Sequence, residues 1–449
     1  MKRNFKYIIF IIFILFYSKG SLAQSNFKLI NNAKKQSISF KLINNLVVFP
    51  IEVNGKELNF ILDSGVGTTM LFNINNNKDS LQLKNVEKIQ LKGLGSEDAI
   101  DAILSKGNIF SFKNITSTNQ KLYVIFDDSF DLSSKLGITI HGIIGYEIFK
   151  DFVVKINYGL KKITFYEADD YKYKKCNKCE TFNLELYKFK PYINLAVKLD
   201  SGSNKITPVK LLIDSGGSDA MWLFENSHPD ILPPKKFFND YLGEGLSGDI
   251  HGKRSIIKGL VLGKFELRNP TVSYPDSLAI AHALEFKERN GSLGANILKR
   301  FIVIFDYKKN KITLKKGSSF KDPFRYNMSG IELVYYGKLL VKEQDFTSLA
   351  FTNKQENSGR NRVILDYNYK YTFKPTYKIF KLRKGSPAYN AGLMENDIVI
   401  KINGQYTYNL KLEEIVEKFR QKENKKINLV IERNGQNYEY NFRLKNMLK

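Results

Sequence analysis

Two short motifs recur in this chain at matched spacing, and that repeat limits what it can fold into more than any other feature. Residues 61–65 read ILDSG and 212–216 read LIDSG; downstream, 143–145 read IIG and 292–294 read SLG. Asp63 lies 82 residues before Gly145, and Asp214 lies 80 before Gly294. The register then continues without gaps. Phe152 and Phe301 each follow their glycine by 7 residues, Tyr158 and Tyr307 by 13, and Ile163 and Ile312 by 18. A fixed internal period marks one structural unit used twice. Between the motifs both copies read as short strands broken by Gly, Asn and Asp, among them Lys121–Phe126 and Ile256–Leu262. Helical periodicity is scarce there. The expectation is a mostly β protein with two copies of one lobe, residues 24–170 and 184–325, joined by a linker over 171–183.

A different pattern begins near Gly330, and residues 326–449 form the third unit. Strand-like runs occupy Ile331–Tyr336, Arg362–Tyr367 and Tyr377–Leu382, followed by GSPAYNAGLMENDIVIKING at 385–404. Residues 411–420 carry helical periodicity, with Leu412, Ile415, Val416 and Phe419 on one face. Ile427–Glu432 and Tyr438–Leu444 then read as a hairpin turning at Asn434-Gly435.

One Asp-Ser-Gly is an ordinary turn. Two of them, each after an apolar strand in two copies of one lobe, predict chemistry. Pseudo-twofold packing brings Asp63 and Asp214 face to face. Carboxylates about 3 Å apart cannot both ionise and share one proton. The ionised member takes a proton from a water between them, and the protonated one donates to a peptide carbonyl. Gly65 and Gly216 permit close backbone approach to the carboxylates. Ser64 and Ser215 offer hydroxyls to brace one loop against the other, and the apolar-apolar-Gly strands fit behind each loop.

These residues resemble the bilobal aspartic proteases, pepsin-like and retropepsin-like, and in particular the bacterial exported aspartyl proteases that carry a C-terminal PDZ domain. Asp63-Ser64-Gly65 with Ile143-Ile144-Gly145 corresponds to one lobe's motif pair, and Asp214-Ser215-Gly216 with Leu293-Gly294 to the other's. The resemblance implies two pepsin/retropepsin-like β-barrel lobes plus an α+β PDZ-like domain. It implies an aspartic endopeptidase with Asp63 and Asp214 as catalytic residues, supported by Ser64, Gly65, Ser215 and Gly216, and needing no metal or cofactor. The chain departs from the pattern at Val66 and Gly217, where relatives often carry Ser, Thr or Ala, and at Ser292, which precedes Leu293-Gly294. No Tyr-bearing flap motif is visible. The flap candidates are Gly93-Leu94-Gly95-Ser96 and Gly245-Leu246-Ser247-Gly248, against plain surface hairpins as the alternative. Gly385-Ser386-Pro387-Ala388, Ala391-Gly392-Leu393, Asp397-Ile398 and Ile402-Asn403-Gly404 resemble bacterial PDZ domains, which add a peptide C-terminus as an extra strand. No Gly-Leu-Gly-Phe-like loop precedes Tyr377, so peptide capture and simple packing on the lobes both stay open.

The rest of the chain narrows the alternatives. The 449 residues carry a formal net charge of +25, spread along the chain without a dense basic block, which does not favour a nucleic-acid partner. Lys2, Arg3 and Lys6, the apolar run Tyr7–Tyr17 and Ser21-Leu22-Ala23 read as an export signal over 1–23. The expected location is therefore periplasmic or secreted, with no transmembrane span in the mature chain. Cys176 and Cys179 read as a local disulfide rather than a redox or zinc motif. Gly243-x-Gly245-x-x-Gly248 lacks the strand–helix context of a dinucleotide loop and reads as a hairpin. His141 reads as a structural histidine. Two other functions fit the same residues: a catalytically inactive peptide-binding scaffold on the same fold, and a basic protein that binds anionic envelope components.

Overall fold

A computed structural model describes residues 26–74, 81–95, 97–126, 130–199, 205–355 and 361–448. The expected export signal and Ser96 lie outside the described residues. Strand accounts for 51% and helix for 9%, so the protein is mostly β. Among the described residues the strands form four sheets.

Each lobe is built around one motif strand. Lys56–Leu62 lies between antiparallel Leu46–Val53 and parallel Gly142–Ile144. Thr207–Asp214 lies in the same way between antiparallel Lys190–Lys198 and parallel Gly291–Gly294. Strands covered on both sides read as unbroken apolar runs, which is why Phe60-Ile61-Leu62 and Leu211-Leu212-Ile213 are buried throughout. Thr69–Leu71 and Met221–Leu223 complete the matched cores. The lobes differ along one wall. Ile100–Phe112 is a single bent strand in the first lobe, whereas the second breaks it into Gly248–Ile256 and Gly259–Leu262.

The lobes are joined by one sheet that neither completes alone. Its central pair is Phe152–Asn157 against Phe301–Asp306, antiparallel, with Lys155 opposite Ile304. Lys162–Glu167 and Lys35–Ser39 extend it on one side, Lys311–Lys316 and Cys179–Asn183 on the other. Cys179–Asn183 lies wholly within the stretch expected to be a linker, yet it is a sheet strand and the second-lobe counterpart of Lys35–Ser39, with its first residue disulfide-bonded to Cys176. Phe149 packs edge-on to Phe305 at 4.9 Å and stacks on Tyr307 at 5.2 Å, so one apolar core runs through both lobes.

In the third unit, the runs expected as separate strands belong to one long antiparallel ribbon, Ile331–Gln355 with Asn361–Leu382. Gly337, at φ 92°, is absorbed as a bulge between Tyr335 and Lys338 instead of ending the strand. The base of the ribbon joins Ile398–Ile402, Lys426–Arg433 and Gln436–Arg443 in one sheet. Asn434 and Gly435, both at positive φ, make the tight hairpin turn. The helix Leu412–Phe419 covers the sheet with Leu412, Ile415 and Phe419. This unit is anchored to the second lobe by buried charge. Arg383 reaches Asp240 at 3.1 Å, Asp240 binds Arg254 at 2.9 Å, and Arg254 binds Asp219 at 3.0 Å. Removing one member of a buried ion network leaves its partners under-compensated. Arg383→Ala is expected to cost about 3 kcal/mol, read as a lower urea midpoint, whereas Lys384→Ala on the exposed side of the same turn should leave the midpoint unchanged.

Candidate active site

The two Asp-Ser-Gly loops meet at the lobe junction and are tied by a closed ring of hydrogen bonds. The Ser64 N–H donates to Ser215 Oγ at 2.9 Å, and the Ser215 N–H to Ser64 Oγ at 3.1 Å. The Ser64 hydroxyl donates onward to the Ile213 carbonyl at 2.7 Å, and the Ser215 hydroxyl to the Leu62 carbonyl at 2.9 Å. Both serines are fully buried, so each bond is made away from competing water. Tyr307 adds a long hydroxyl contact to the Ser64 carbonyl at 3.4 Å.

The ring holds the carboxylates together. Asp63 Oδ1 accepts from the Gly65 N–H at 2.7 Å and the Gly216 N–H at 3.2 Å. Asp214 Oδ1 accepts from Gly216 at 3.1 Å and Gly217 at 2.8 Å. One amide, that of Gly216, thus reaches both carboxylates. A Cβ on Gly216 would lie 2.3 Å from Asp63 Cγ, so only glycine allows the approach. Behind the loops, Gly145 and Gly294 do the equivalent work: a Cβ there would lie 2.0 Å from the Asp63 carbonyl oxygen and 2.2 Å from that of Asp219. The departure at Val66 leaves the two sides unequal. The Val66 N–H makes a long bond to the Asp63 carbonyl at 3.4 Å, while its mate Gly217 binds the Asp214 carboxylate.

Electrostatics separates the pair further. Burial first, then the neighbouring Asp214 charge, pushes the Asp63 carboxyl up to about 7, against the pull of the Gly65 and Gly216 amides. Asp214 is also raised by burial, but Arg289, the Gly217 amide and Lys190 pull it back toward ionisation. Both carboxyls are thus raised, and the pair as a unit keeps a shared proton in mildly acidic solution.

The carboxylates open onto a cleft of about 530 Å³. The two flap candidates meet beside it. The Ser247 N–H donates to the Leu94 carbonyl at 2.8 Å, and the Gly93 N–H to Ser247 Oγ at 3.1 Å. Gly93 and Gly245 line the cleft, Gly95 bonds the Ala279 carbonyl at 2.9 Å, and Gly248 pairs with Gly245 in the hairpin Phe238–Gly245 with Gly248–Ile256. Gly243, Gly245 and Gly248 therefore belong to a β hairpin. Trp222 forms cleft wall, with its indole N–H on Asp219 at 3.0 Å. His141 is structural: its Nδ1 accepts the Asn59 N–H at 3.0 Å, and burial lowers its pKa. Two cations that the sequence reading did not single out, Lys190 and Arg289, also line the cleft. Arg289 stands five residues before Gly294, where the first copy has Ile140, a mismatch visible in the repeat itself. Among the described residues no cluster of three or more His, Cys, Asp and Glu is arranged to hold a metal ion, and no helix is long and apolar enough to cross a membrane.

The third unit reaches the same cleft. Ile331–Gln355 is an edge strand, and the short helix Leu132–Leu136 of the first lobe packs beside it. Lys135 of that helix binds Glu244 at 2.6 Å and lies 5.0 Å over the Phe380 ring.

Residues 49–148 match the aspartyl protease family, a span that contains both first-lobe motifs, and residues 381–433 match the PDZ domain. No curated protein matches the chain. The second lobe's correspondence rests on its structural repetition of the first. The ring between the loops is directly testable. Ser64→Ala leaves the Ser215 N–H and the Ile213 carbonyl unpaired and buried, and is expected to cost about 3 kcal/mol by urea denaturation. Ser64→Thr, which keeps the hydroxyl, should lose less.

Proposed function

We propose that this protein is an aspartic endopeptidase that hydrolyses peptide bonds in the cleft between its lobes. The observation that carries the reading is the Gly216 amide bonded to both Asp63 and Asp214 at the meeting of two matched Asp-Ser-Gly loops. An extended peptide lies across the carboxylates beneath the paired hairpins. Asp214, ionised, takes a proton from a water held between the carboxylates as that water attacks the scissile carbonyl carbon. Asp63, protonated, donates to the carbonyl oxygen, giving a neutral tetrahedral diol. Collapse of the diol breaks the C–N bond. The proton gained by Asp214 passes to the leaving nitrogen, and Asp63 recovers one from the diol. The chemistry needs no covalent intermediate.

The PDZ-like unit docks beside the cleft. A peptide adding to the edge of Ile331–Tyr336 would lie close to the cleft, whose lining includes Leu333 and Val334. The Cys176–Cys179 disulfide is in keeping with an exported protein.

Cleavage of a random peptide library by the purified protein tests the reading. Asp63→Asn and Asp214→Asn should each abolish turnover while leaving the urea midpoint near that of the parent; retained turnover in both would overturn the mechanism. The pH profile gives a second check. The singly protonated pair is the active form and persists while Asp63 holds its proton. Activity should therefore be present in mildly acidic solution and fall as pH rises through about 7.

A further inference from the structure

Duplication allows each position in one half of the cleft to be compared with its mate in the other. Val48 pairs with Ile61, and Tyr192 with Leu212, so the strands Leu46–Val53 and Lys190–Lys198 are in matching register and Leu46 corresponds to Lys190. Ile143 pairs with Ile61, and Ser292 with Leu212, so Ile143 corresponds to Ser292. Three residues earlier, Ile140 corresponds to Arg289. Met70 pairs with Ile143, and Trp222 with Ser292, so Met70 corresponds to Trp222. Four first-lobe positions around the dyad are thus apolar, Leu46, Ile143 and Met70 in the cleft lining and Ile140 buried behind it, while Asn44 matches Lys188. The second-lobe half has two cations, a hydroxyl and an indole at the same positions.

These cations have no carboxylate partner of their own among the described residues. Arg289 is 4% exposed. Its Nε donates to the Gly291 carbonyl at 3.1 Å, its Nη2 donates to Ser292 Oγ at 2.7 Å, and it lies over the Phe224 ring at 5.1 Å, all neutral groups. Lys190 makes no ion pair, although Lys188 pairs with Glu285 at 3.2 Å and Lys210 with Glu185 at 2.6 Å. A buried cation such as Arg289 is ordinarily paired, and Lys190 stands half-buried beside it. The Asp63–Asp214 pair, sharing one proton, offsets only one of the two. Burial lowers the pKa of both cations, and the Arg289 charge lowers that of Lys190 further, as expected of positive charge short of compensation.

We propose that the second-lobe half of the cleft receives a substrate carboxylate, the side chain of an Asp or Glu flanking the scissile bond, held by Lys190 and Arg289, while the first-lobe half receives an apolar side chain. This rests on the peptidase reading and gives it a substrate class: extended peptides with an acidic residue on one side of the cut and an apolar residue on the other.

Amidated peptides that differ only in Glu or Gln beside a Leu, in both orders, test it in two arms. The first arm measures kcat/KM for the parent and Lys190→Met. The second measures binding of the same peptides to Asp63→Asn and to Asp63→Asn/Lys190→Met by fluorescence anisotropy. A third peptide carries Gln and a free C-terminal carboxylate. The parent should favour Glu by about tenfold, and in Lys190→Met the Glu-to-Gln ratio should fall to about one, the ratio being the readout because loss of the Lys190 charge also acts on the dyad. Arg289 is left intact because its bonds to Gly291 and Ser292 support the fold. Cleavage without a Glu preference overturns the acidic subsite and leaves the peptidase standing. A Glu preference in binding that Lys190→Met removes, without cleavage by the parent, supports the subsite and overturns the peptidase. A free terminus preferred over the Glu side chain overturns the side-chain assignment, and absence of both cleavage and preference overturns both readings.

Discussion

The crossed hydrogen bonds between Ser64 and Ser215 are the constraint on which the rest of the structure depends. Each loop's amide is satisfied by the other loop's hydroxyl, and each hydroxyl then reaches into the opposite motif strand. Neither loop can complete this pattern alone. A buried amide without a partner is costly, so the loops are stable in this form only when the lobes are together. The consequence is that two carboxyl groups are held at one amide, Gly216, by backbone forces that overcome the repulsion the two would have if both were ionised. Carboxylates forced together in this way keep a proton that either would lose in water.

The shared sheet and the core behind it supply the rigidity that this arrangement needs. Phe152–Asn157 and Phe301–Asp306 pair across the lobe boundary, and Phe149, Phe305 and Tyr307 pack directly beneath. Tyr307 connects the two levels, since its ring belongs to the core and its hydroxyl reaches the Ser64 carbonyl. The ion network from Arg383 through Asp240 and Arg254 to Asp219 carries a further connection, from the PDZ-like unit through the base of the second-lobe hairpin to the stretch following Gly217. These groups are in contact along the whole path, so the PDZ-like unit is tied to the hairpin and to the stretch following Gly217 by charge as well as by packing.

The duplicated architecture does not make the cleft symmetric. Matched backbones carry different side chains, with Leu46 against Lys190 and Ile140 against Arg289, and Val66 against Gly217 at the dyad itself. The surroundings of the two carboxyls differ as well: Lys190 acts on both, whereas Arg289 draws Asp214 alone toward its charged form.

Much of this was legible in the chain. Local sequence specified the motif strands, the turn glycines, the Asn434-Gly435 hairpin and the helix Leu412–Phe419, because alternation, turn chemistry and helical period act over a few residues. The repeat identified Asp63 and Asp214 as partners, since equal spacing implies equal folds. The long ribbon was less legible: Gly337 reads as a strand end, and only pairing with the second strand turns it into a bulge. Lys190 and Arg289 were invisible as a pair, because 99 residues separate them in the chain and their juxtaposition comes from strand register. The sequence by itself determined which groups could do chemistry and that two lobes would present them. Only the tertiary structure decided that the two carboxyls are raised together and that Lys190 and Arg289 stand beside them, because desolvation and charge act through space, between residues the chain order holds apart.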